Sequence, residues 1–311
     1  MLHVRVIAPT DTCDHVVERI RAVPTVANVA VVRGAGADGA ADLIFFDVAR
    51  EGANPVIDSL RELGVVKDGS ISISEATSIL GDAAYQAEKA APGHPADGVV
   101  WDEVEHRAAE DSRLSWSFLA FLILATLIAG AGRYLDQPIL IIGAMVVGPE
   151  FAPLAAICVA LVRRRRAIIR PALVTLFGGF AIAITIAWML WGIGVLLGLI
   201  DFTAATSGTQ TDFIVKPDGW SFLIALLAGV AGILSITSAK SSALVGVFIS
   251  ITTVPAAATI ALTLAVGGWS EAGASAIQLG VNLVGLLIGG TATLGVQTAL
   301  TSRRRKARPG R

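Results

Sequence analysis

Between residues 115 and 300 the sequence runs through six apolar stretches, at about 115–133, 138–162, 171–199, 219–237, 242–266 and 273–300. A helix of about 20 apolar residues crosses the roughly 30 Å hydrocarbon core of a bilayer, so each stretch reads as one span. Inside hydrocarbon every backbone polar group needs an internal partner, which leaves helices as the form these stretches can take. Composition agrees. Apolar residues make up 54% of the chain and charged residues 16%, against about 25% charged in an ordinary soluble protein, and the mean hydropathy is +0.70. A disordered chain, a collagen-like chain and an ordinary soluble enzyme are excluded.

The net charge of −1 conceals two opposite parts. Residues 1–112 carry 19 acidic and 9 basic side chains, whereas residues 113–311 carry 6 and 15. A soluble acidic module is thus joined to a membrane-embedded one. The expected division is a domain over 1–90, a linker and surface helix over 91–112, a six-span domain over 113–302 and a basic tail over 303–311. No charged segment followed by a long apolar run opens the chain, so no cleavable signal peptide is expected and the first module stays in the cytosol. The basic residues cluster in connections of one parity: Arg163, Arg164, Arg165, Arg166 and Arg170, then Lys240, then the tail from Arg303. Only Arg133 and Lys216 fall in the others. Basic loops stay inside, so both termini are expected in the cytoplasm. The Arg163–166 run and the tail are expected to meet anionic lipid headgroups. No aromatic platform accompanies them, and nucleic-acid binding is not expected.

The first module alternates short strands and helices. Leu2, Val4 and Val6 alternate with polar residues, and Val16, Val17, Ile20 and Val23 share a helical face capped by Thr10, Asp11 or Thr12. Strands are expected at 28–33, 43–48 and 70–74, with a helix through Val56, Ile57, Leu60 and Leu63. This β-α-β-β-α-β order is the ferredoxin-like split unit. The sequence Ala91-Pro92-Gly93-His94-Pro95 reads as a linker, and helical character resumes from about 99 to 113. His3, His15, His94 and His106 are scattered without ligand spacing and no phosphate loop is present, so neither a metal nor a cofactor is expected. Cys13 and Cys158 lie in different halves, which argues against a disulfide framework.

The membrane part repeats itself. Trp116-Ser117-Phe118-Leu119 opens the first span and Trp220-Ser221-Phe222-Leu223 the fourth. Gly143 to Pro149 in the second span answers Gly246 to Pro255 in the fifth, at an offset of about 104–106 residues, each proline leading into an alanine-rich run. A unit of three spans puts its second copy upside down. Such inverted repeats recur in secondary transporters, whose sites lie near the midplane between broken helices. Pro149 and Pro153 fall near the centre of the second span and Pro255 near that of the fifth, where proline removes a donor and breaks the helix.

Glu150 is the one acidic residue near a span centre, where insertion costs about 2.5–3.5 kcal/mol. It reads as a carboxylate at the start of the second half-helix, either packed there or serving as a proton or cation site. Lining groups are expected from Ser250, Thr252 and Thr253 and from Gln278, Asn282 and Gln297, Asn282 being the most central. Gly194-x-x-x-Gly198 and Gly285-x-x-x-Gly289 offer close helix packing within or between subunits, so a homo-oligomer is one outcome.

The segment Ile141-Ile142-Gly143-Ala144-Met145-Val146-Val147-Gly148-Pro149, the later Val254-Pro255 with its alanine run, and Asn282 resemble the DUF389 family of prokaryotic membrane proteins, over roughly residues 113–300. A ferredoxin-like front module is a common companion there. The resemblance implies a multi-pass protein of a prokaryotic plasma membrane and supplies no substrate or catalytic residues. It also implies a small or apolar residue in place of Glu150 in many members.

Two functions of different class follow. One is a transporter or channel for a small solute or ion, with its site at the broken second and fifth spans. The other is a non-transporting sensor or scaffold whose soluble module binds an effector or partner. An enzyme is not expected, since no Ser/His or Cys/His pair sits in the spans and a single carboxylate makes a poor hydrolase.

Overall fold

The computed structural model describes residues 1–37, 39–76, 78–93, 98–208, 210–212, 218–238, 246, 247, 249 and 252–306, with side chains to residue 301. Ser250, His94, Pro95, Lys216, Lys240 and the end of the basic tail lie outside the described residues. Two compact units part between Val104 and Glu105.

The first unit runs β1 (Leu2–Pro9), α1 (Thr10–Arg21), β2 (Val26–Val32), β3 (Ala41–Val48), α2 (Ala53–Glu62), α3 (Val65–Asp68), β4 (Ser70–Glu75) and α4 (Asp82–Ala90). Its four strands lie in the order β2-β3-β1-β4, every pair antiparallel. That is the order of the split unit read from the sequence. Register follows from the alternation: Val4 stands opposite Phe46 and Ile73, and Val6 opposite Ile44 and Ile71. This puts one apolar face against Val16, Ile20, Val56 and Leu60 of α1 and α2. One expectation is corrected. None of Thr10, Asp11 and Thr12 caps α1; the cap is Pro9, without a side-chain bond, because the Thr10 hydroxyl turns to Asp42 at 3.4 Å. The helix α4 was not foreseen. Its two buried contacts, Ala84 and Ala87, are too small to mark an apolar stripe.

After α5 (Trp101–Asp111) come α6 (Trp116–Tyr134), α7 (Pro138–Val147), α8 (Phe151–Val162), α9 (Arg166–Leu173), a π-helical turn (Val174–Gly178), α10 (Gly179–Leu196), α11 (Phe202–Thr206), α12 (Gly219–Thr237), α13 (Thr253–Ala265) and α14 (Trp269–Lys306). Among the described residues, four helices are long and apolar enough to cross a membrane: α6, the continuous α9–α10, α12 and α14. The pair α7 and α8, bent by 51° at its break, is a fifth if taken as one span. Of the stretch 242–266, the described helix is the 13-residue α13.

The long helices are 33–39% buried and leave apolar side chains such as Leu124, Phe177, Met189 and Leu227 exposed, as a lipid-facing surface requires. Trp116, Trp220 and Trp269 stand exposed at helix starts, where an indole suits the headgroup level. The short helices behave differently. All of α13 from Thr253 to Thr263 is buried, and so is nearly all of α8; a helix apolar on every side belongs inside a bundle. The Gly285-x-x-x-Gly289 pair works within the chain, because Gly285 and Gly289 bring α14 onto Ala225 and Leu226 of α12. Gly198 closes the end of α10 with a φ of +70°, while Gly194 leaves room for Ile200.

Candidate functional site

The site begins with the sequence Gly148-Pro149-Glu150. The helix α7 ends at Val147, and Gly148 leaves helical geometry with ψ at 128°. Pro149 cannot return a backbone donor to the preceding turn. The chain re-enters a helix at Phe151 with Glu150 as its N-cap residue and Pro153 third in the first turn, where a missing N–H costs nothing.

The start of α13 copies this. Thr252 is the N-cap, and Thr253, Val254 and Pro255 form the first three positions. Pro255 and Pro153 thus hold the same, third, position of their helices, whereas Pro149, set against Pro255 in the sequence, lies outside the helix it precedes.

The two starts meet. The Thr253 hydroxyl donates to Glu150 Oε1 at 2.8 Å, a buried bond between the two short helices. Glu150 is 4% exposed. Its Oε2 overlies Gly148, where any other residue would place its Cβ, and such a Cβ would also meet Val254. This oxygen has no hydrogen-bond partner among the described residues. From α14, Asn282 Nδ2 donates to Thr252 Oγ1 at 2.7 Å. One turn earlier Gln278 is equally buried, its Oε1 without a partner among the described residues. Ile141 and Met145 of α7, Ala256 of α13 and Leu279 of α14 pack as one apolar cluster, which sets residues 278–282 at the level of the break.

Of the sequence-derived residues, Glu150, Thr252, Thr253 and Asn282 thus come together, with Pro149, Pro153 and Pro255 shaping the helix starts that carry them. Gln297 does not join them; it lies 15 residues beyond Asn282 on the same helix, about 22 Å along its axis. The elements round Glu150 carry few ionisable side chains. There are none in α7, α10, α12 or α13, while α6 has Arg133 and Tyr134 at its far end, α8 has Cys158, and α14 has Glu271 at its start and basic residues at its end.

A second polar cluster was missed. Arg133, read as a loop cation, is 1% exposed. It donates to Thr211 Oγ1 at 2.6 Å and to the Thr206 carbonyl at 3.1 Å. Asp136 accepts from the backbone N–H of Gln210 and Thr211, each at 3.1 Å. The connection after α10 is thereby strapped to the end of α6. An arginine in a last helical turn with an aspartate three residues on was the available signal. At the other end of the unit, Glu105 of α5 accepts from Arg163 and Arg165, each at 2.7 Å, while Arg164 and Arg166 stay exposed.

Residues 145–288 match the family described as Domain of unknown function (DUF389). An uncharacterised protein of Methanocaldococcus jannaschii is 26% identical over 231 residues, covering 74% of this chain and 68% of that protein. No solved structure matches. The matched region contains both short helices and the break between α7 and α8.

Proposed function

Because this chain belongs to the DUF389 family, whose description carries no activity, we propose its function from its own residues: a membrane transporter or channel for a small solute or ion. Its site lies where α8 and α13 begin, and Glu150 is the group that takes up and releases a proton. The observation that carries this reading is the buried bond between Glu150 and Thr253, which joins two helix starts deep in an apolar bundle. An intramembrane carboxylate is expensive and marks a pathway or relay more often than a packing device.

The reading includes six spans in two inverted halves. Several symmetries support it. The helices α6 and α12 have 19 residues each, and each half then carries a short buried helix with proline at its third position. The halves also exchange partners: α13 packs on α6 and α10, and α8 packs on α14 and meets Gly232 of α12 through Phe151. Helices broken at the midplane of inverted repeats are the usual place for a transport site. The basic connection bearing Arg164 and Arg166 faces the cytoplasm in this reading, and those two arginines meet anionic headgroups.

Reconstituted vesicles test it. Flux from a panel of solutes and ions should depend on pH in the native protein and lose that dependence in Glu150→Gln. Flux equal to that of empty liposomes across the panel would overturn the reading.

A further inference from the structure

The charges round Glu150 say which kind of solute belongs beside it. A helix start presents N–H groups without intrahelical acceptors and carries about half a positive charge. Two such starts, of helices 12 and 13 residues long, meet here through the Thr253 hydroxyl on Glu150, although Glu150 takes no cap bond from its own helix and proline occupies the third position of each. Two donors act there, the Thr253 hydroxyl onto Glu150 and the Asn282 amide onto Thr252, while the buried Gln278 carbonyl oxygen one turn before Asn282 has no partner among the described residues. No lysine, arginine or histidine lies in the described residues of α7, α8, α10, α12 or α13, and Arg133 is at the far end of α6. The acids and bases of α14 are confined to its two ends, so among the described residues of these helices the ionisable group nearest Glu150 along the chain is the Cys158 thiol, two turns along α8.

Such a seat repels a cation and holds an anion. The anion in it is the protein's own side chain, with Oε1 bonded and Oε2 unpartnered above Gly148. Resting on the reading of Glu150 as the transport centre, we propose that the seat takes a small monovalent anion of about the size of a carboxylate, which enters when Glu150 is protonated and swings out. The proton goes to a carboxylate oxygen, the neutral acid leaves the helix starts, and the solute anion accepts the Thr253 hydroxyl in its place. Deprotonation reverses the exchange, so anion and proton movement are coupled. The carboxylate lies against Gly148, close enough that a Cβ there would collide with it and with Val254, so the solutes proposed are those no larger than the group they replace: halide, nitrate, formate and their like.

The test uses the full chain in vesicles and in detergent, with chloride, nitrate and formate as probes. Native vesicles should move at least one of these with accompanying proton flux. Glu150→Gln should lose proton flux, and whatever anion flux persists should no longer depend on pH. Because the side chain no longer competes as an anion, calorimetric affinity for the same probe at pH 8 should rise about tenfold or more. Glu150→Ala should show the same gain if the amide itself obstructs the seat. Anion flux without proton flux in the native protein, or affinity unchanged in both variants, would overturn the proposal. So would pH-dependent transport of a cation or neutral solute that Glu150→Gln renders pH-independent, although the broader reading of Glu150 as the transport centre would then stand. No flux of any solute would overturn both.

Discussion

A methyl group at position 148 would stand where the Glu150 carboxylate now lies and would press on Val254. Gly148→Ala is therefore expected to lower stability by about 1–3 kcal/mol, as other overpacked interiors do. Thermal unfolding in detergent measures this, and the cost should shrink in a Glu150→Ala background, because the displaced group is then gone. Glu150 was legible from the sequence, since a lone acid in an apolar run must be accounted for. Gly148 was not, because glycine is common in such spans and only the folded carboxylate gives this one its purpose. In the soluble unit, Asp42 is fully buried and accepts from the Gly34 N–H at 2.7 Å and from Arg33 at 2.9 Å. The Gly34 bond, followed by Arg33, holds its carboxyl below the usual range, while burial pushes the neighbouring Cys13 thiol up to about 11. A carboxyl lowered on folding stabilises above its unfolded pKa, and that contribution disappears as pH falls through the folded value. Asp42→Asn should thus lower the calorimetric unfolding temperature of this unit at neutral pH, and the difference from the native chain should close below about pH 4.

Helices differ here in how plainly their residues announce them. Long spans were visible as apolar runs, and the strand order followed from alternation, since a register slip would turn Val4 and Val6 away from Phe46 and Ile44. The short helices were hidden inside longer apolar stretches. Apolar content cannot report where a helix restarts, and setting Pro149 against Pro255 rests on a proline outside its helix. The N-cap positions of Glu150 and Thr252 put Pro153 and Pro255 at the same helical position. The seam between α12 and α14 makes a sharper statement about elements. Gly289 has the Leu226 backbone where a Cβ would go, and backbone cannot step aside as a side chain can. Gly289→Leu should force the two helices apart and cost about 3 kcal/mol or more, seen as a lower unfolding temperature in detergent; the same change at Gly295, which faces open space, should be nearly silent.

For the molecule as a whole, the asymmetry of charge is the most readable feature, because lipid sorts basic loops before any packing exists. Cysteine introduced at Arg164 should react with an impermeant maleimide only in inverted vesicles, and cysteine at Ser270 only in intact cells; labelling both from one side would refute the assigned orientation. Tertiary placement was less readable. The spacing of Arg133 and Asp136 hinted at a polar helix end, but a guanidinium held by Thr211 depends on where a connection 78 residues later folds back. The two short helices also have a consequence for how the protein is made. At 1.5 Å per residue, α8 and α13, with 12 and 13 residues, extend only about 18–20 Å, too little to settle alone across a bilayer about 30 Å thick. Taken by itself, then, neither short helix reaches from one face to the other, and α8 does so only in company with α7. The expected order of assembly is that the long rods insert first and the inner pieces settle between them, which protease protection of successively truncated nascent chains would check.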